Sequence, residues 1–331
     1  MTTNPLDLII CATCGTQFPT STNPPSCKIC DDPRQYVPPT GQAWTTLRAL
    51  RSSNPPYKTI FTPDPIHKDK LISICTEPKQ AIGQRAFLCR IPTSNNSSSA
   101  DDVEGGTTKP KTFNILWDCI TFIDDDTITQ ITSLGGIDAI VISHPHYYTT
   151  HLFWAEIFNC PVYLSSEDEE WALIRGEKQV FFTERQLALS PAVLEKREDT
   201  ERESDENAAI VIVKTGGHFP GSTVLWWKPL KTLLIADTIA VVPSGRYWVD
   251  RPKGTASFTF LWSYPNMIPL SADDVLAIWE AIKHTDFVIT RGAFVGMDTD
   301  IDSKKRVLDS AKIFVRAMGY LDHAIHQEEC L

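Results

Sequence analysis

The stretch Ser143-His144-Pro145-His146-Tyr147-Tyr148-Thr149-Thr150-His151 constrains this chain more than any other. The apolar run Ile137-Asp138-Ala139-Ile140-Val141-Ile142 before it reads as a buried strand. Leu152-Phe153-Trp154-Ala155-Glu156-Ile157-Phe158 after it reads as a helix. Two imidazoles two positions apart at the end of a core strand point to the same side. That placement lets them grip one metal ion, so the question becomes what other ligands the fold brings to the same strand end.

Four segments share one pattern. Each is an apolar strand that ends in a residue able to ligate metal: Asp118, then His144 with His146, then His218, then Asp237. Ligands collect at strand ends because a sheet fixes them while the loops leave an ion accessible. Three neutral imidazoles and a carboxylate suit zinc, iron or manganese.

A second metal signature lies near the N-terminus. Cys11-Ala12-Thr13-Cys14 and Cys27-Lys28-Ile29-Cys30 each turn two thiolates onto one cation, and four thiolates complete a tetrahedral zinc shell. The segment between them contains Pro19, Pro24 and Pro25, which leave no room for a helix. The expectation is a small ribbon-like knuckle with a closed, structural zinc. Trp44, in the connector that follows, is read as packing between this knuckle and the main domain.

The chain has 331 residues, a 42% hydrophobic share and a net charge of −10. That suits a large soluble domain with a small added module, and argues against a broad nucleic-acid-binding face. No apolar run approaches the ~20 residues that span a bilayer. The start, Met-Thr-Thr-Asn-Pro-Leu-Asp-Leu, lacks the features of a secretory signal. Nine cysteines, four of them in paired Cys-x-x-Cys units, point to metal binding in a reducing compartment, the cytoplasm or the nucleus.

Short strands are expected over 57–61, 71–75, 86–91, 113–118, 161–164, 179–182, 208–213, 223–227 and 232–238. An acidic helix start is read at 167–173, and 247–262 reads as an aromatic loop. Ser271, with Asp274 three positions on, caps a helix whose buried stripe is Val275, Ile278, Trp279 and Ile282. A closing helix runs over 304–320. Residues 92–111 and 195–207 are polar or charged and are read as flexible loops. The division is therefore 1–45 as cysteine ribbon and connector, and 46–331 as the main domain.

His144-x-His146, His218 in its Gly-Gly-His turn, and Ala236-Asp237-Thr238 together resemble the metallo-β-lactamase superfamily, over roughly residues 55 to 320 on the usual size of such a domain. The resemblance implies an α/β fold, an αββα sandwich, preceded here by the four-cysteine zinc-ribbon module. It also implies that Asp118 supports the histidines from behind. The family pattern reads His-x-His-x-Asp-His, and Tyr148 and Thr149 stand at its last two positions. The last strand is followed by Arg291-Gly292-Ala293-Phe294 with no histidine, and His284 lies at its other end. The second metal site of the family has thus lost its distinctive ligands. One ion (zinc, iron or manganese) is expected, held by His144, His146, His218 and Asp237.

The chemistry expected is hydrolysis of an ester, lactone, thioester or amide in a small molecule by one metal-activated water. Asp237 is the candidate base. Tyr148 either donates to a developing oxyanion or packs over the site as an aromatic lid. Arg291, with Arg246, is a candidate for holding a substrate carboxylate or phosphate. His151 either swings toward the site or serves in packing. The alternative is a non-catalytic zinc-binding scaffold that meets a protein partner through the ribbon and the aromatic residues Trp44, Trp226, Trp227 and Trp248. Nuclease activity is disfavoured by the acidic balance and the absent second metal.

Overall fold

Apolar residues alternate along the first strands, and in the computed structural model, which describes residues 4–93, 112–195 and 207–330, that alternation sorts them onto two faces. Leu71, Phe87, Cys89, Phe113, Ile115 and Trp117 point one way, and Ile72, Ile74, Ala86, Leu88 and Leu116 the other. Seven strands, Lys58–Pro63, Leu71–Glu77, Ala86–Pro92, Thr112–Trp117, Ala139–Val141, Val162–Ser165 and Gln179–Phe182, form one sheet in sequence order. The first four pair antiparallel and the last four pair parallel.

A second sheet of six strands runs in the order Gln186–Leu189, Ile210–Lys214, Thr223–Trp227, Thr232–Leu234, Ile289–Arg291, Asp298–Thr299. Its one parallel pairing joins Thr232–Leu234 to Ile289–Arg291, because the helix Ala272–Ile282 lies in the crossover between them. The two sheets meet face to face through a shared core that includes Trp117, Val141, Phe182, Ile212, Leu225, Trp227 and Leu234. The helices Asp125–Ser133 and His151–Phe158 pack on the outside of the first sheet, through Ile131 and Trp154. Helices Ala272–Ile282 and Ser303–Ala317 cover the second, through Val275, Ile278, Val307 and Ala311. The result is an αββα sandwich. Buried helices on both outer faces explain why Ala139-Ile140-Val141 is apolar without alternation.

The Ser271 cap forms as the sequence predicts, with Oγ accepting from Asp274 N at 3.1 Å. Three local expectations differ. The acidic segment forms only a short 3₁₀ helix, Ser166–Trp171, because Asp168 is buried and takes a tertiary bond instead of solvent. The aromatic loop 247–262 contains the short strand Phe258–Thr259 and runs into a second, Leu261–Ser263. Gln186–Leu189, an edge strand with weak patterning, has no counterpart in the sequence reading. The flexible-loop expectations fall almost wholly outside the described residues.

The cysteine module is built on a two-stranded ribbon, Ile9–Cys11 against Trp44–Thr46. Ile10, Phe18 and Ile29 share one apolar core with Leu116, Ile120 and Trp154 of the main sandwich. Backbone joins the two as well: Gln17 N donates to Thr149 O at 3.0 Å, and Thr121 Oγ1 to Gly15 O at 3.1 Å. Gly15 has φ +82, and a Cβ there would lie 2.1 Å from Thr121 Oγ1, so this close approach requires glycine. Trp44 meets Phe18 edge-on at 5.3 Å.

Candidate metal centre

Three strands deliver the donors. Ala139–Val141 ends at Ser143 and His144, and one 3₁₀ turn, Pro145–Tyr147, carries His146 back over the strand end. Ile210–Lys214 leads into the loop holding His218. That loop turns through Gly216 (φ +64) and Gly217 (φ +90), and a Cβ on Gly217 would meet Ile278 Cδ1 at 2.9 Å. Thr232–Leu234 runs on to Asp237. Thr238 Oγ1 ties the last two segments by donating to Gly216 O at 2.9 Å and accepting from His218 N at 3.3 Å.

The donor atoms of His144, His146, His218 and Asp237 all lie within 4.8 Å of one another. Asp237 Oδ2 stands 3.3 Å from His144 Nε2, 3.6 Å from His146 Nδ1 and 4.0 Å from His218 Nε2. Two of the three rings, His218 and His144, are held through the nitrogen that faces away from Asp237. His218 Nδ1 lies 2.9 Å from the Leu261 carbonyl, which can only accept, so the proton sits on Nδ1 and the Nε2 lone pair faces the centre. His144 Nδ1 contacts Ser143 Oγ at 2.9 Å, leaving its Nε2 buried without a hydrogen-bond partner. An orphaned buried nitrogen aimed at a carboxylate and two further imidazoles fits a divalent ion.

Electrostatics agree with that fit. Burial pushes His144 down to about 4 against the pull of Asp237, and pushes His218 well below the usual imidazole range, so both rings are neutral near pH 7 and free to ligate. Burial alone would raise Asp237, but the close approach of the His144 and His146 imidazoles outweighs it and holds the carboxyl well below the carboxylate range. Asp118 sits behind the strand at φ +61, with Oδ1 accepting from Ser143 N at 2.7 Å. It holds the backbone directly before His144 and touches no imidazole. Burial raises its carboxyl to about 8.

Three candidates from the sequence stand elsewhere. Tyr148 neither faces the donors nor lids them. In a 3₁₀ turn residues three apart share a face, so Tyr147 lies against His144, with ring centroids 5.0 Å apart. Tyr148 is rotated outward and its hydroxyl donates to Asp168 O at 3.2 Å. Arg291 is 1% exposed and held by Asp64, by Asp300 at 2.7 Å and by the Thr290 carbonyl at 3.0 Å. Its fork is saturated, so it is a buried structural ion pair and not a substrate clamp. His151 begins the helix His151–Phe158, facing the Tyr148 carbonyl through Nδ1 and accepting from Gln179 Nε2 at 2.8 Å through Nε2. It is a satisfied packing histidine, pushed by burial down to about 4.

Among the described residues only one other group of three or more potential ligands is gathered, the four cysteines. Cys11 Sγ lies 3.5 Å from Cys30 Sγ, and Cys14 Sγ lies 3.7 Å from Cys27 Sγ. Gln42 Nε2 approaches Cys11 Sγ at 3.1 Å. His284 belongs to neither group; its ring rests on Trp226, with centroids 5.9 Å apart.

Two residues without any signal in the sequence complete the surroundings. Arg34, at the end of the cysteine module, donates from Nε to the His218 carbonyl at 2.7 Å. Its guanidinium also lies 4.5 Å from the Phe219 ring centre and 4.8 Å from that of Trp262, and pairs with Asp32 at 2.8 Å. Tyr264 packs on His218 with centroids 5.8 Å apart and donates to Asp237 O at 2.8 Å. Both contacts bridge segments remote in sequence, so no local pattern announces them.

The family profile described as the metallo-beta-lactamase superfamily matches residues 109–293. The protein described as uncharacterized protein YmaE, from Bacillus subtilis (strain 168), is 35% identical over 314 residues, covering 94% of this chain and 96% of that one. Among solved structures, the mono-zinc form of the metallo-beta-lactamase FIM-1 from Pseudomonas aeruginosa superposes with a TM-score of 0.45 at 14% identity, covering 76% of this chain and 94% of that one. The apo chemotaxis sensor ODP from T. denticola does so with a TM-score of 0.41 at 12% identity, covering 78% and 94%.

Proposed function

The chain belongs to the metallo-beta-lactamase superfamily, and on that premise we propose that it is a metal-dependent hydrolase with a single ion held by His144, His146, His218 and Asp237. Its substrate is a small molecule with an ester, lactone, thioester or amide bond. The observation that carries this reading is the convergence of four donors around a buried, unpartnered His144 Nε2, with one donor, Asp237, still reachable. The chemistry such an ion supplies is Lewis acidity, polarising a carbonyl and activating water at neutral pH.

The chain's own residues do the positioning. Leu261 O and Ser143 Oγ orient His218 and His144 through their outer nitrogens. Asp118 holds the strand end. The Asp237 carboxylate stays ionised throughout the neutral range, so it accepts a hydrogen bond from water and orients it for attack. Phe219, against His146 at 4.9 Å, and Tyr147, against His144, keep bulk water from the backs of the rings.

Residues 1–45 form, in this reading, a ribbon around a structural zinc, and the thiolate set suits a cytoplasmic setting. The scaffold alternative is weakened by the reachable edge at Asp237, since a purely structural site is closed. Elemental analysis of the intact protein is expected to give two metals per chain, with His144→Ala/His146→Ala losing one while staying folded. Hydrolysis of any substrate found in an ester, lactone and thioester panel should disappear in His144→Ala. Turnover that survives that substitution would overturn the assignment.

A further inference from the structure

We infer that the substrate carries an uncharged, apolar arm, and that this arm fills the cavity beside Asp237. The inference rests on the hydrolase reading above and deepens it. A cavity of about 320 Å³ opens next to the candidate metal centre. Its walls include Ile239, Val241, Leu261, Met267, Phe294 and Met297. That volume lies within the ~300–1,000 Å³ of small-molecule sites and far exceeds a packing defect.

Two features make this the approach to the site. Of the four donors only Asp237 lines the cavity. Asp237 also keeps 7% exposure, whereas the three histidines keep 1–2%. A substrate therefore reaches the centre past Asp237. Met267, 73% exposed, stands where the cavity meets solvent, and a flexible thioether there adapts to apolar chains of different shape.

The wall chemistry selects the arm. Among the described residues, no lysine, arginine or histidine lines the cavity. Arg291, whose neighbour Gly292 does line it, is turned away onto Asp64 and Asp300. The Tyr264 hydroxyl is spent on Asp237 O. An anionic group at the end of this space remote from the metal centre would meet no cationic side chain among the described residues, and desolvating it would go uncompensated. An alkyl or aryl arm exchanges water for the side chains of the wall, at about fourfold in affinity for each methylene buried.

The test uses the full-length, zinc-loaded protein and three hydroxamates: acetohydroxamate, octanohydroxamate and the monohydroxamate of suberic acid. Affinities are read by titration calorimetry, which needs no turnover. Octanohydroxamate should bind at least about 100-fold more tightly than acetohydroxamate. The suberate compound, of matched length with a terminal carboxylate, should lose most of that gain. Ala240 also lines the cavity, and Ala240→Trp, which fills it, should bind acetohydroxamate as wild type does and abolish the chain-length effect. Equal affinity for short and long chains, or preference for the carboxylate, would overturn the apolar arm while leaving the metal centre standing. If none of the three binds, the open metal centre itself is wrong, and the hydrolase reading falls with the inference.

Discussion

The four-cysteine cluster and the histidine-aspartate cluster are both buried sets of metal-binding side chains, and they are built in opposite ways. The cysteines come from two short turns between Cys11 and Cys30, all at 2% exposure or less, with no cavity among those described touching them. The histidine set is gathered from three strand ends between His144 and Asp237, and one edge faces a cavity. Local spacing produces a closed cluster. Assembly by the sandwich leaves an open edge, where chemistry is possible. The two are not separate devices, because Arg34 of the cysteine module grips the carbonyl of His218.

The largest effect should follow from opening the closed shell. Cys11→Ser/Cys14→Ser should remove one metal per chain and, with it, folding free energy on the order of 10 kcal/mol, enough to unfold the module. Hydrogen exchange over residues 9–46 would then lose its protection. Retained protection would mean that the shared apolar core, and not the ion, holds this region.

Next in size is the buried ion pair that the sequence suggested as a substrate clamp. Arg291→Met leaves Asp64 buried without its partner and should cost about 3–5 kcal/mol in denaturant unfolding, with metal content unchanged. Full stability with impaired turnover would instead restore Arg291 to the site.

Arg34→Ala tests the link between the clusters. It should weaken metal retention at the histidine set by about 10–100-fold in chelator competition, with the cysteine-bound metal unaffected. Lysine at this position cannot both donate in plane to the carbonyl and stack on Phe219, so Arg34→Lys should recover little. Unchanged retention in both variants would show that the clusters are independent after all.

Smallest per pH unit is the effect in the loop that carries His218. Asp168 accepts from Gly221 N at 2.7 Å, and burial raises its carboxyl from 3.8 to about 7. The folded state therefore holds a proton that the unfolded state has lost between those values, and stability should fall as pH rises through that window, by at most ~1.4 kcal/mol per pH unit. Asp168→Asn keeps the Gly221 bond and should flatten that slope. A slope that persists in the variant would assign it to another group, with Asp118 the next to test.

Much of the fold was legible because its signals are short-ranged. Period-two alternation sorts Leu71 from Ile72 onto opposite faces of a sheet. The Ser271-Asp274 pair starts a helix, and the order His144, His146, His218, Asp237 at strand ends resembles one known architecture. What was misread had a tertiary cause. Tyr148 was judged by its position in a motif, yet a single 3₁₀ turn decides that Tyr147 faces His144 and Tyr148 does not. Arg291 was judged by its nearness to the last strand's end, yet Asp64, far away in sequence, takes its charge.

By itself the sequence determined the paired cysteines, the two histidines of His144-Pro145-His146 and the apolar strands that end in polar residues, because each depends on residues close together along the chain. Tertiary structure alone decided that Arg34 reaches His218, that Tyr264 holds the Asp237 backbone, and that a largely apolar cavity opens beside one donor out of four. Those depend on which surfaces meet when two sheets and a cysteine module pack around one core, and no spacing along the chain records that meeting.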